Sequence, residues 1–100
     1  MSNETFGDYI KKARETLNLP LRKVAAYLDI DTSTLSKVER GDRPATLNYL
    51  KPLADILQLD LKEVQSKFIA DKINKDFGDM EHLTDGLKAA EQQIKKKKIK

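Results

Sequence analysis

Apolar residues recur at helical spacing along most of the chain, and the phase of that pattern resets at a few polar or glycine-containing breaks. Phe6, Ile10, Ala13 and Leu17 alternate with Asp8, Lys11, Lys12 and Glu15, which predicts a helix from Phe6 to near Asn18 with Thr5 as its cap. Leu19 can then pack into the core, and Pro20 fits at the start of the next helix, where its missing N–H costs nothing. Val24, Ala25 and Leu28 share one face of that helix, and Leu35 and Val38 share one face of the following one. Between them Asp29-Ile30-Asp31 breaks the periodicity. Asp31 is expected to cap the third helix by accepting from the backbone N–H of Ser33 or Thr34. Gly41 stops it, and Gly41-Asp42-Arg43-Pro44 reads as a polar loop.

The second half continues in the same way. Thr46 caps or opens a fourth helix whose residues Leu47, Leu50, Leu53, Ala54 and Leu57 close the core, with a kink expected at Pro52 because proline removes a backbone bond to residue 48. Asp60 followed by Glu63 resembles a capping box. It opens a fifth helix carrying Leu61, Val64, Phe68, Ile69, Ile73 and Phe77, which Gly78-Asp79 ends. A further helix carries Met80, Leu83, Leu87, Ala90 and Ile94 at intervals of three, four, three and four, the seam of a helix that buries its stripe against another helix. The final IKKKKIK reads as a solvated, disordered tail whose lysines attract phosphate irrespective of sequence.

Composition narrows the classes. One hundred residues is a single-domain length, and 39% hydrophobic with 35% charged residues reads as soluble and helical. The absence of cysteine rules out a disulfide framework or thiolate metal site and points to a reducing cytoplasm. No run approaches the roughly 20 apolar residues of a membrane span, and MSNETFGDY lacks a signal-peptide core. Residues 1–60 carry nine Lys/Arg against nine Asp/Glu, and residues 61–100 ten against seven. The net charge of +3 therefore belongs to the tail, and nucleic-acid binding must rest on local clustering of cations. An enzyme is not expected: there is no glycine-rich phosphate loop, no paired carboxylate site and no histidine beside a candidate nucleophile. No cofactor, metal or small-molecule substrate is implied. His82, the single histidine, lies beside the heptad stripe and reads as a surface or interface residue.

The stretch Leu21–Gly41, LRKVAAYLDIDTSTLSKVERG, organises the rest. With Leu35 and Val38 turned inward, the third helix presents Thr32, Ser33, Thr34, Ser36, Lys37 and Arg40, a face of hydroxyls and cations suited to base edges and phosphates in a major groove. The pattern resembles the helix-turn-helix of the Cro and phage-repressor family, the XRE-type regulators. The resemblance rests on Val24, Ala25, Leu28, Ile30, Leu35, Val38 and the Glu39-Arg40-Gly41 ending, and covers roughly Phe6 to Val64. It implies an ion pair between Arg14 on the first helix and Glu39 at the end of the recognition helix. Two positions depart from the family pattern. Asp29 replaces the usual turn glycine, which is tolerable because Asp enters the left-handed region readily. Leu21 stands where many members carry a phosphate-gripping glutamine, a role Arg22 and Lys23 can take over.

The expected protein is thus an all-α, five-helix lambda-repressor-like domain with a C-terminal helical extension. Residues 1–65 form the DNA-binding unit, 66–94 a C-terminal helical extension expected to serve as dimerisation element and 95–100 a basic disordered tail. The resemblance implies a cytoplasmic, homodimeric transcriptional regulator on an inverted-repeat DNA operator, contacting DNA through Arg22, Lys23, Thr32, Ser33, Thr34, Ser36, Lys37, Arg40 and Arg43. Lys37 is the best candidate for a guanine contact. The dimer is expected to form through Met80, Leu83, Leu87, Ala90 and Ile94, with packing of that stripe on the chain's own core as the other possibility. Stand-alone members of this size include phage repressors, controllers of restriction-modification operons and antitoxins, and GDRPATLNYLKPLADIL leans toward the controllers. The reading from a different class is a protein-interaction module that uses the Met80-to-Ile94 stripe and binds DNA weakly or not at all.

Overall fold

The computed structural model describes residues 4–98, which fold into six α-helices and one 3-10 turn, with no strand among them. Five helices share one core: α1 (Phe6–Thr16), α2 (Leu21–Tyr27), α3 (Thr32–Arg40), α4 (Leu50–Leu57) and the first part of α5 (Leu61–Phe77). The sixth, α6 (Leu83–Lys98), buries no residue. Thr5 caps α1 in a reciprocal box with Asp8, each side chain accepting from the other's backbone N–H at 3.0 and 3.2 Å. Ile10, Val24, Leu35, Leu53 and Val64, one from each of the five helices, form the enclosed centre. Helix α1 packs on α3 through Gly7, where a Cβ would overlap the carbonyl oxygens of Val38 and Glu39. A glycine there lets the two backbones touch.

Four helices end by one device. Asn18, Asp29, Gly41 and Gln58 all adopt left-handed backbone, with φ of 56°, 60°, 82° and 57°. After each, the next residue's N–H reaches back five residues: Leu19 to Arg14, Ile30 to Ala25, Asp42 to Lys37 and Leu59 to Ala54, at 2.9 to 3.1 Å. This closure satisfies carbonyls that the helix end leaves unpaired. Leu19, Ile30 and Leu59 then pack against the core, and their burial offsets the steric cost of the left-handed residue before them. Only after Gly41 does the chain turn outward, into the exposed Asp42 and Arg43.

Several sequence expectations need correction. Asp31 occupies the position before α3 but its side chain makes no capping hydrogen bond. The fourth helix does not run from Thr46 through a kink at Pro52. A 3-10 turn, Leu47–Tyr49, comes first, and α4 becomes regular at Leu50, so Pro52 lies in a first turn that needs no N–H from it. The Thr46 side chain bonds to that of Asn48 and caps nothing, and Leu47 is 74% exposed, outside the core. Asp60 accepts from the Lys62 N–H at 3.3 Å, without the reciprocal bond from Glu63 that a capping box requires. Met80 precedes α6, and α6 continues helically through Lys98, replacing the disordered tail expected from residue 95; residues 99–100 lie outside the described residues. Lysines in a last helical turn interact favourably with the helix dipole, and Lys95 also stands 3.7 Å from Glu91.

Candidate nucleic-acid interface

The candidate interface is built on α3. Its inner side is fixed by Leu35 and Val38, both buried, and by Glu39, the one buried charged residue among those described. Glu39 is clamped by Arg14 from α1: Nε donates to Oε2 at 2.7 Å and Nη2 to Oε1 at 3.1 Å, while Nη1 donates to the Leu19 carbonyl at 2.9 Å. One guanidinium thus ties together α1, α3 and the link to α2. The hydrogen bond to Glu39 holds the Arg14 pKa above its ordinary value, against the opposing effect of burial. A fork held at two oxygens fixes the rotation of α3 about its axis as well as its position, which a single apolar contact does not do.

With that side locked, the residues singled out from the sequence face outward. Thr32, Ser33, Lys37 and Arg40 are exposed, and Thr34 and Ser36 are half-buried. Arg40 lies along the helix, donating from Nη1 to Ser36 Oγ at 2.9 Å and from Nε to Asp42 Oδ2 at 3.1 Å. Arg43, in the loop after α3, extends back to Thr34, with Nη1 3.5 Å from Oγ1. Ser36 with Arg40 and Thr34 with Arg43 thus form two separate pairs at the two edges of the outward side of α3. Arg22 and Lys23 lie exposed in the first turn of α2. Neither they nor Lys37 makes a side-chain hydrogen bond or ion pair among the described residues. These three cations keep their full donor capacity for another molecule. Leu21 is half-buried against the core, so it contributes packing where a glutamine would offer polar contacts.

Two participants were not singled out from the sequence. Asp42 holds Arg40 through an exposed ion pair, and Gly7 sets the depth at which α3 sits on α1. The signal for Gly7 was present: a glycine inside a strong helical pattern marks close backbone approach. The signal for Asp42 was not, because its position follows from the left-handed turn at Gly41.

The stripe beyond the core lies apart from this face. Met80 is 62% exposed, Leu87 41% and Ile94 53%; Ala90 is exposed and Leu83 half-buried. Together with Ile73 and Phe77 of α5, all but Ile94 line an open apolar groove of about 610 Å³. His82 is exposed beside Glu81 and Asp85, at 4.0 and 3.9 Å. No group of three His, Cys, Asp or Glu residues among those described could hold a metal ion, and no helix is long and apolar enough to cross a membrane.

Comparison with known proteins matches residues 10–64 to the family described as Helix-turn-helix (HTH_3). That interval ends at Val64, the last enclosed residue of the core, and leaves the groove outside it. Neither the curated proteins nor the solved structures return a match. The matched family consists of DNA-binding regulators and is not typically enzymatic. The matched interval contains α3 with its exposed cations and hydroxyls and most of the elements that hold it, and the chain belongs to the XRE-type helix-turn-helix family of Cro-like and phage-repressor-like DNA-binding transcription regulators.

Proposed function

We propose that the protein is a sequence-specific regulator that binds an inverted-repeat operator as a homodimer, with α3 in the major groove of each half-site. The observation that carries this reading is the division of α3 into one face fixed by Leu35, Val38 and the Arg14–Glu39 clamp and another that offers Lys37 without a partner. In this reading Lys37 contacts guanine O6 and N7, and Thr32, Ser33, Thr34 and Ser36 make short contacts to bases or phosphates. Arg22, Lys23, Arg40 and Arg43 hold the phosphates that flank the groove. A face of hydroxyls discriminates bases less sharply than Asn, Gln or Arg, so operator shape supplies part of the specificity. The dimer supplies a second copy of the same face, as a two-fold operator demands. The exposed stripe from Met80 to Ile94 is its interface, and the cysteine-free composition suits a cytoplasmic protein.

The test is a gel shift with a duplex from the protein's own promoter. Lys37→Ala should lose roughly 1–3 kcal/mol of binding to that duplex and much less on unrelated DNA. Lys37→Ala with Arg40→Ala should abolish the specific shift. Wild-type binding by the double variant would exclude α3 as the reading element and favour the second reading, a protein-interaction module, for which the open apolar groove is the supporting observation.

A further inference from the structure

Helix α6 has two properties that the homodimer reading does not use. Its apolar positions within the helix, Leu83, Leu87, Ala90 and Ile94, are spaced four, three and four apart, a pattern that reads the same in both directions. Its charges do the opposite. Asp79, Glu81 and Asp85 gather at its start, with no Lys or Arg between residues 76 and 87, whereas Lys95 to Lys98 occupy its last turn. An apolar stripe that is symmetric on reversal, flanked by charges that are antisymmetric, is complementary to itself when turned around.

We propose that the groove between α5 and α6 is filled by α6 of a second copy lying antiparallel, in a register centred between Lys88 and Ala89. This rests on the homodimer part of the proposed function and specifies its interface. In that register Leu83 meets Ile94 of the partner subunit and Leu87 meets Ala90 of the partner subunit. The Lys95–Lys98 turn of each copy lies over the acidic stretch that leads into the other helix, with Lys97 and Lys98, which flank the apolar stripe, nearest to it. The parallel alternative sets the two lysine turns side by side and the two acidic ends side by side, so like charges oppose at both ends. Gly86 faces open space, where nothing stands within 4 Å of a Cβ, leaving room for a helix to approach. The arrangement is isologous, as a two-fold dimer requires, since each contact occurs twice. It also explains why a 16-residue helix that buries nothing of its own is worth forming, because isolated helices of about that length are marginal in water.

The chain contains no cysteine, so introduced thiols report the register directly. In the full chain, Leu83→Cys and Ile94→Cys are made separately, oxidised alone and as an equimolar mixture, and run on a non-reducing gel, with sedimentation of the unoxidised proteins alongside. The expected result is a sedimenting dimer, a disulfide in the mixture and none with Leu83→Cys alone. Two Leu83 positions in the antiparallel dimer are displaced by about 16 Å along the axis at 1.5 Å per residue, too far for a disulfide. Efficient self-linking of Leu83→Cys overturns the antiparallel arrangement and leaves the homodimer standing. A dimer that links in neither experiment places the interface elsewhere and overturns the inference. A monomer at tens of micromolar overturns both, whatever its DNA binding. As a second arm, Lys97→Glu with Lys98→Glu should weaken the dimer roughly three- to tenfold, and adding Asp79→Lys with Glu81→Lys in the same chain should restore it. Failure of the paired reversal to restore would contradict the charge register.

Discussion

Val64 and Ile69 lie five residues apart on one helix, yet Val64 is fully enclosed and Ile69 is 54% exposed. The same contrast separates the two regions of the molecule. Up to Val64 the helical stripes of α1 to α5 converge on one another, whereas from Ile73 to Ala90 the apolar residues line an open groove. Phe68 marks the boundary, half-buried with its ring edge-on to Phe6 at 5.5 Å. Periodicity records which face of a helix is to be covered. It does not record by what, and in this chain one region covers its own faces while the other leaves its apolar residues exposed.

The contrast is broken most strongly at the clamp. Glu39→Ala should lose about 3 kcal/mol, the low end for a broken buried pair, because it leaves the half-buried Arg14 guanidinium without its carboxylate. Replacing both Arg14 and Glu39 by Met should lose less than either single change. Thermal or denaturant unfolding measures both, and a double variant less stable than the worse single one would contradict this account of the pair. Next in size, Leu35→Ala should lose roughly 2–5 kcal/mol. Leu87→Ala, the same chemical change on a 41%-exposed residue, should leave monomer unfolding unchanged within about 0.5 kcal/mol while loosening the dimer.

Much of the first region was legible in the sequence because its rules are local. The Thr5 cap, the break at Asp29-Ile30-Asp31 and the stop at Gly41 depend on residues within a turn of one another. The left-handed Asn18 and Gln58 were not read in advance: asparagine enters that region more readily than most residues and signals it only weakly, and glutamine does not signal it. What selects it is the burial of Leu19 and Leu59, a tertiary fact. Leu47 was misplaced for a similar reason: it fits the phase of α4, but the chain there forms a 3-10 turn, whose different periodicity turns it outward. The pairing of Arg14 with Glu39 came from family resemblance, and no spacing rule links positions 25 apart. In the second region the stripe was readable and its exposure was not.

Smaller effects sharpen the comparison. Gly7→Ala should lose about 1–3 kcal/mol despite alanine's better helix propensity, because the atoms a methyl group would strike are α3 backbone and cannot turn aside. A stabilised Gly7→Ala would show that α3 can move off α1. Tyr9 gives the least expected effect. Its hydroxyl is buried with no hydrogen-bond partner among the described residues, and burial, then the carboxylates of Glu63, Glu4 and Asp60, push its pKa up to about 12. The folded state then keeps a proton that the unfolded state releases near pH 10, so this contribution is complete below pH 10 and is lost as pH rises through about 12. Denaturation midpoints measured between those values should fall more steeply in the wild type than in Tyr9→Phe.

In the proposed function the outward face of α3, and not the α5–α6 groove, meets DNA. Backbone amide chemical shifts recorded while titrating a duplex from the protein's own promoter separate the two surfaces. The largest changes should fall at Thr32 to Arg40, at Arg43 and at the start of α2, with Leu83 to Ile94 unchanged. Changes confined to α5 and α6, with α3 silent, would contradict it.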